Sequence, residues 1–239
     1  MGRAFEVRKH AMAKTAKAKT KVYSRYGKEI YMAAKNNPDQ ETNAELKRII
    51  EKARKDQVPN NIIERNIEKA KGGTDETYIE ARYEGFGPGN SLFIVECLTD
   101  NVNRTISEVR NCFTKSNSKL GVAGSVSHMF LEQAVFAIKD VTEDEILEVI
   151  IENDIDVSEI EADSQGVSLY GEVSDYNKIR TALLKSNSEY ELVTDDIMWM
   201  PQMEVVLESE EDKELFEKLM NMLDEVEDVQ NVYHNVKDE

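Results

Sequence analysis

The sequence predicts an α+β fold in which a helical N-terminal region precedes two regions that combine strands and helices. Two observations support this prediction. Apolar side chains recur at helical spacing over residues 1–76, and from Tyr78 onward the apolar period changes to two, which is typical of strands. With 239 residues, of which 40% are hydrophobic and 32% charged, the chain is long enough for a substantial core and resembles a well-solvated globular protein.

The first 76 residues are predicted to form three helices. Between about Ala11 and Lys35 there is no proline, and a turn at residues 36–39 separates this helix from a second one. Asn43 can cap the second helix, and Gly72 with Gly73 supplies a stop for the third. The inward-facing residues are Val22, Tyr26, Ile30 and Ala33 in the first helix, Leu46, Ile49, Ile50 and Ala53 in the second, and Ile62, Ile63, Ile67 and Ala70 in the third.

Two strands joined by a glycine-rich turn are predicted to open the second region. They cover residues 78–84 and 91–99. A helix follows to about Lys115, capped by Asp100 or Asn103, and a third strand is predicted over residues 125–130. This ββαβ arrangement is an incomplete sheet layer.

Residues 134–200 are predicted to form a second α+β unit, in which Thr142 and Glu145 form a capping box at the start of a helix. A closing βαβ segment follows, with strands predicted over residues 203–207 and 229–236. If that segment completes the sheet begun at Tyr78, the middle unit is an insertion. An equally simple interpretation is two consecutive domains that divide near residue 133. The discontinuous interpretation predicts three domains, namely residues 1–76, residues 77–132 together with 201–239, and residues 133–200 as the inserted domain.

Charge is distributed unevenly along the chain. The net charge is −17, yet residues 1–76 hold 18 basic and 11 acidic side chains, a net charge of +7, and the other 163 residues carry −24. Such asymmetry is typical of a basic module that contacts nucleic acid, attached to an acidic body. Because the acidic body repels polyanions, it should confine any such contact to one face.

Six cations of the first helix form a stripe when the sequence is plotted at 100° per residue. They fall within about 80° of one another, opposite the apolar face, and five of the six are lysines, which favours attraction to phosphates over reading of bases. We therefore predict that this stripe binds nucleic acid, either DNA or ribosomal RNA, with the ribosome as a partner in the second case. The six residues are Lys14, Lys17, Lys21, Arg25, Lys28 and Lys35.

A second candidate surface lies at the start of the helix that follows the second strand. Its residues are Asn103, Arg104, Thr105 and Arg110. The functional interpretation is a polar surface for a partner or for RNA. The structural interpretation is helix capping together with ion pairs along the helix face.

Several classes of protein do not fit the sequence. His10, His128 and His234 are far apart, no metal-ligand spacing occurs, and no glycine-rich phosphate motif opens a helix, so we expect neither catalysis nor a metal or cofactor. Cys97 and Cys112 form no disulfide framework, and the apolar runs are too short to span a bilayer. These observations predict a cytoplasmic, non-enzymatic protein that does not enter membranes, and they set no oligomeric state.

Several strings in fixed order resemble the YebC family. They are Tyr83 to Gly89, Leu98 to Thr105, Gly121 to Phe130 and Val229 to Asn235, and they span most of the chain. Met1-Gly2-Arg3 and the segment from Lys69 to Gly73 are similar to the YeeN branch of that family. The stretch from Gly2 to His10 lacks the tryptophan with which the wider family opens.

The resemblance implies a helical N-terminal domain followed by two α+β domains, the third inserted in the second. It also implies a cytoplasmic regulator of gene expression that touches nucleic acid. Some members are described as DNA-binding transcriptional regulators and others resemble translation factors that act on ribosomes. The resemblance therefore leaves the choice between DNA and ribosomal RNA open.

Overall fold

A computed structural model of the chain describes residues 17–73 and 77–237. Its helical region contains α1 (Lys17–Asn36), α2 (Ala44–Lys55) and α3 (Asn60–Lys71). The apolar faces of these helices meet in one core, in which Ile30 and Leu46 are completely buried. Asn43 caps α2 by accepting a hydrogen bond from the Leu46 amide, as its sequence position predicts.

The first sheet follows the helical region. It has the strand order β3-β1-β2-β8, formed by β1 (Ile79–Phe86), β2 (Leu92–Thr99), β3 (Lys119–Leu120) and β8 (Val229–His234). The helices α4 (Val102–Lys115) and α7 (Glu210–Glu225) pack on one face, where the Phe93 ring lies 5.8 Å from that of Phe113 and 5.6 Å from that of Phe216. Alternate residues of β1 and β2 therefore point into a core beneath two helices.

The second sheet has the order β5-β6-β4-β7. Its strands are β4 (Phe130–Lys139), β5 (Glu159–Asp163), β6 (Gly166–Gly171) and β7 (Leu192–Pro201), and α5 (Glu143–Glu152) and α6 (Tyr176–Ser186) accompany it. Phe136 of β4 stacks on Tyr176 with ring centroids 5.2 Å apart, within a core that both helices share. Thr142 and Glu145 form the capping box expected from the sequence at the start of α5.

The described residues divide into two compact units. One comprises residues 17–73, 77–123 and 208–232, and the other comprises residues 124–207 and 233–237. Since residues 124–207 lie between the two long segments of the first unit, that unit is discontinuous in sequence. The predicted α+β class is confirmed, with a helical region followed by two regions of sheet and helix. The domain boundaries proposed from the sequence stay a prediction.

Two predicted strands differ from the structure. Residues 125–130 contain a 3-10 turn (Ser127–Met129) and only the first residue of β4, because Val126 and Phe130 point inward at turn spacing and the Met129 amide bonds to the Val126 carbonyl. Residues 203–207 form a single bridge, between Val205 and Val236, so no longer ladder exists there. Among the described residues, no helix combines the length and apolar character needed to cross a bilayer.

Candidate nucleic-acid interface

The cationic stripe predicted on the first helix is only partly described. Lys14 lies outside the described residues, and Lys17 is the first residue of α1, with a side chain that is also outside them. The remaining four stripe residues belong to the unit that contains the first sheet. Three of these four face the segment between the end of α7 and β8, and one lies beyond that contact.

Lys28 is buried, contrary to the prediction that the whole stripe faces solvent. Only 8% of the residue is exposed, and its Nζ lies 2.7 Å from Oδ1 of Asp228. The same ammonium group donates to the carbonyls of Leu98 and Glu227, each at 3.3 Å. An isolated buried cation is costly, so a carboxylate and carbonyl groups of the chain itself replace the water that Lys28 loses.

Lys21 and Arg25 also contact the chain's own acidic segment. Lys21 Nζ lies 3.6 Å from the Asp224 carboxylate and donates to the Asp224 backbone carbonyl, in the last turn of α7. A cation at that position is favourable because the carbonyls at a helix C-terminus carry partial negative charge. Arg25 donates to the Gln230 carbonyl of β8 at 3.3 Å and lies 3.9 Å from Glu29.

These contacts show what the stripe does in the fold. The strand β8 is an edge of the first sheet, and edge strands have main-chain groups without a neighbouring strand. Arg25 of α1 donates to a carbonyl of this edge strand, and Lys21 and Lys28 donate to carbonyls of the segment that leads into it. The central part of the stripe therefore serves as a packing surface within the unit. A helical wheel cannot distinguish this arrangement from a solvent-facing stripe, because both place cations opposite the apolar face.

Asp228 is the centre of a buried polar cluster. Its side chain is 1% exposed, and Oδ2 lies 2.6 Å from the Arg104 guanidinium, 2.8 Å from Thr105 Oγ1 and 3.0 Å from Thr99 Oγ1. Burial acts to raise the pKa of this carboxyl, but hydrogen bonds from Lys28, Arg104 and Thr105 outweigh it and lower the pKa to about 2. Asp228 is therefore ionised, and its carboxylate connects α1 and α4 to the start of β8.

The second predicted surface divides into buried and exposed residues. Thr105 is completely buried, so it belongs to the Asp228 cluster and not to a surface. Arg104 lies 2.7 Å from Asp100 and 2.6 Å from Asp228, and these hydrogen bonds raise the pKa of its guanidinium. Asn103 and Arg110 are exposed. The predicted cap at Asp100 or Asn103 was wrong, because the N-cap of α4 is Asn101, which accepts from the Arg104 amide.

Comparison with known proteins places the chain in a family. Residues 3–73 match the TACO1/YebC protein N-terminal domain, and residues 78–236 match the TACO1/YebC second and third domain. The chain belongs to the TACO1/YebC family. The sequence-based resemblance is thereby confirmed, and the Asp228 cluster joins residues from the sequence motif around Thr99 to Thr105 with the residue preceding the C-terminal motif.

Relatives in the TACO1/YebC family match this chain over nearly its whole length. A probable transcriptional regulatory protein of Alteromonas mediterranea is 57% identical over 236 residues, 98% of each chain. One of Acholeplasma laidlawii is 54% identical over 237 residues, 99% of this chain and 98% of the other. The crystal structure of a conserved hypothetical protein from Aquifex aeolicus has a TM-score of 0.80 at 33% identity, covering 94% of this chain and 93% of that one.

Lys35 is the stripe residue of this TACO1/YebC chain that lies beyond the docked segment. It is exposed near the end of α1, and its Nζ lies 6.0 Å from the centroid of the Tyr31 ring. Lys69 of α3 lies 5.7 Å from the same ring, so cations from two helices contact one tyrosine. Sequence analysis did not identify Lys69 as a binding residue, because only the packing of the bundle places residues of different helices beside one ring.

Asp228 was also missed by sequence analysis. It follows an acidic helix and stands among several carboxylates, so nothing in its neighbourhood distinguishes it from a solvated acid. The one available signal was the pair Thr99 and Thr105 on either side of a predicted helix start. Hydroxyl groups that become buried need hydrogen-bond partners, but the sequence does not say which residue supplies them.

Proposed function

We propose that the chain is a nucleic-acid-binding regulator of gene expression, and that its N-terminal helical region makes the contact. The names of the relatives support the regulatory part of this proposal, since those proteins are called probable transcriptional regulatory proteins. The charge of residues 1–76, +7 against −24 for the rest of the chain, supports the binding part.

The observation that carries the proposal is that Lys35 and Lys69 both lie beside the Tyr31 ring. Their ammonium groups lie 6.0 and 5.7 Å from one ring centroid although they belong to different helices. Two lysine charges on one three-helix unit are suited to the phosphates of a nucleic-acid backbone. Lys14 and Lys17 of the predicted stripe belong to the proposed contact as well. Lys21, Arg25 and Lys28 are left out of the proposed contact, because their side chains are directed to the segment from Asp224 to Gln230.

Transcriptional regulation on DNA is the first form of the proposal, and a translation factor on ribosomal RNA is the second. The −24 charge of residues 77–239 favours the second form, because a long DNA duplex in contact with much of that surface would be repelled. A surface enclosed among ribosomal components needs only a small basic area. A third candidate is an acidic protein-interaction module, favoured by the internal pairing of the central stripe residues.

Charge reversal at the two lysines tests the binding proposal. The double variant Lys35→Glu/Lys69→Glu should lose most of its affinity for both duplex DNA and ribosomal RNA fragments, measured by fluorescence anisotropy. The matched control is Lys35→Arg/Lys69→Arg, which keeps both charges and should keep the affinity within about threefold. Wild-type binding should also weaken steeply between about 50 and 200 mM salt. Unchanged binding by the Glu variant would remove these lysines from the proposed site.

Sedimentation distinguishes the candidate functions. Lysate that contains the tagged full-length chain is run through a sucrose gradient with magnesium, with and without RNase, and the DNA retained by the chain is sequenced in parallel. Co-migration with ribosomal particles that RNase abolishes supports the translation form. Recovery of promoter fragments without co-migration supports the transcription form. Retention of proteins alone, with neither nucleic acid, supports the interaction module.

A further inference from the structure

A second surface in the same unit lacks the acidity of its surroundings. Residues 77–239 contain 36 acidic and 12 basic side chains, but residues 101–120 contain one acid, Glu108, and four of those cations. The nearest carboxylates on either side in sequence are Asp100 and Glu132. Most of these twenty residues form α4, so this helix contains only one of the 36 acidic residues of this part of the chain.

The outward face of α4 contains a strip of exposed residues without carboxylates. Thr105, Val109, Cys112 and Phe113 are buried and form the inward face. The residues on the opposite side are exposed and contain no carboxylate, and we call them the acid-free stripe. Its members are Asn103, Ser107, Arg110, Asn111 and Thr114, at positions i, i+4, i+7, i+8 and i+11. Glu108 lies on one flank of the helix with Arg104, outside the stripe.

The hydrogen-bonding groups of the acid-free stripe are of two kinds. The Ser107 hydroxyl donates to the Asn103 carbonyl at 2.8 Å and the Thr114 hydroxyl donates to the Arg110 carbonyl at 2.9 Å. With their protons used in this way, both oxygens face solvent as acceptors. The amides of Asn103 and Asn111 and the guanidinium of Arg110 supply donors. Within residues 17–73 and 77–237, Arg110 has no ion-pair partner.

This mixture corresponds better to RNA than to DNA. Phosphate oxygens accept hydrogen bonds and cannot use the Ser107 and Thr114 oxygens, whereas a ribose 2′-hydroxyl both donates and accepts. The shallow minor groove of A-form RNA presents rows of 2′-hydroxyls to a protein surface. The low charge of the stripe also matches a contact made by hydrogen bonds more than by neutralised phosphates.

We propose that the acid-free stripe of α4 is an RNA-binding surface that recognises 2′-hydroxyl groups along a minor groove. This proposal rests on the proposed nucleic-acid function and deepens it, since it adds a second contact and selects RNA as the partner. The stripe uses Asn103 and Arg110 of the surface predicted from the sequence, omits Arg104 and Thr105, and adds Ser107, Asn111 and Thr114.

The experiment compares three duplexes of one sequence, made of RNA, of 2′-O-methyl RNA and of DNA. The 2′-O-methyl duplex keeps the A-form and the phosphate charges but has no 2′-hydroxyl proton. The wild-type full-length chain should bind RNA at least threefold more tightly than the 2′-O-methyl duplex in fluorescence anisotropy. Arg110→Glu should lower RNA affinity about tenfold. The double variant Ser107→Ala/Thr114→Ala should abolish the preference for RNA over its methylated form.

Lys185→Glu is the matched control, because it makes the same charge change at an exposed residue near the end of α6. Its RNA affinity should stay at the wild-type value, and an equal loss there would overturn the stripe proposal in favour of a general charge effect. Equal binding of RNA and 2′-O-methyl RNA by the wild type would overturn it too. If Arg110→Glu binds normally while Lys35→Glu/Lys69→Glu does not, the stripe proposal alone is wrong. If the wild type binds no nucleic acid, both proposals are wrong.

Discussion

Lys28 and Asp228 are 200 residues apart in sequence, yet Nζ of the lysine lies 2.7 Å from Oδ1 of the aspartate. Both side chains are almost completely buried, and both belong to the unit that contains the first sheet. The pair links α1 to the residue that immediately precedes β8. It also explains why much of the row of cations on that helix is a packing surface. The carboxylates and carbonyls that these cations contact belong mainly to a segment near the other end of the chain.

Removal of the Lys28 charge should destabilise the fold. Lys28→Met keeps an unbranched side chain of similar length but removes the ammonium group. Because the buried Asp228 carboxylate then has one donor fewer, the free energy of unfolding should fall by about 2–4 kcal/mol. Lys19→Met is the control, because Lys19 is exposed on the same helix and its loss should change stability by less than about 0.5 kcal/mol. Urea denaturation followed by circular dichroism measures both. Equal stability of the two variants would contradict the structural role of Lys28.

The Asp228 cluster should make stability depend on pH in the acidic range. The pKa of Asp228 is about 2 in the folded chain and 3.8 as a reference value. Because the folded pKa is the lower one, the contribution is fully present above about pH 4 and is lost as the pH falls toward 2; its size is about 2 kcal/mol.

Asp228→Asn isolates this contribution. The variant should be less stable than the wild type at pH 7. The difference in unfolding free energy should shrink between pH 4 and pH 2, because the protonated Asp228 carboxyl of the wild type is neutral, like the asparagine amide. Thermal denaturation across that range, with both proteins in the same buffers, measures the difference. A gap that stays constant down to pH 2 would show that Asp228 does not titrate as described.

Gly85 should tolerate no side chain. A Cβ at this position would lie 2.3 Å from the ring of Phe113, on the sheet face that α4 covers. Gly85→Ala therefore forces the phenyl ring or the helix to move and should lower the unfolding free energy by about 1–3 kcal/mol. Gly72→Ala is a suitable comparison, since the nearest atom to its Cβ would be at 3.5 Å and its backbone is already helical. A Gly85 variant as stable as the Gly72 variant would refute the close approach of α4.

The hydroxyl of Thr105 should contribute to stability. Thr105→Val keeps the shape and removes the group 2.8 Å from Oδ2 of Asp228. Since this leaves a buried carboxylate with fewer donors, we expect a loss of about 1–2 kcal/mol in urea denaturation. The same substitution at Thr114, exposed on the same helix, should cost less than about 0.5 kcal/mol. Comparable losses at both positions would point to a general cost of valine in α4.

Local sequence signals predicted the elements where neighbouring residues decide the conformation. The caps at Asn43 and Thr142 were predicted correctly because the acceptor and the amide it caps are three residues apart. The glycine-rich turn between β1 and β2 followed from the same kind of short-range information. The strand predicted at residues 125–130 failed because its alternating pattern also fits a 3-10 turn, and pairing with a second strand decides between the two.

The sequence by itself determined the class of fold, the family, and the contrast between a basic beginning and an acidic remainder, because composition, periodicity and short motifs are properties of neighbouring residues. Only the tertiary structure decided which cations face solvent. A helical wheel shows that Lys28 and Lys35 share one side of α1, but not that one is buried against Asp228 and the other is exposed. The reason is physical: the partner of a buried charge is chosen by packing across the whole chain, and a residue 200 positions away leaves no mark on the local pattern.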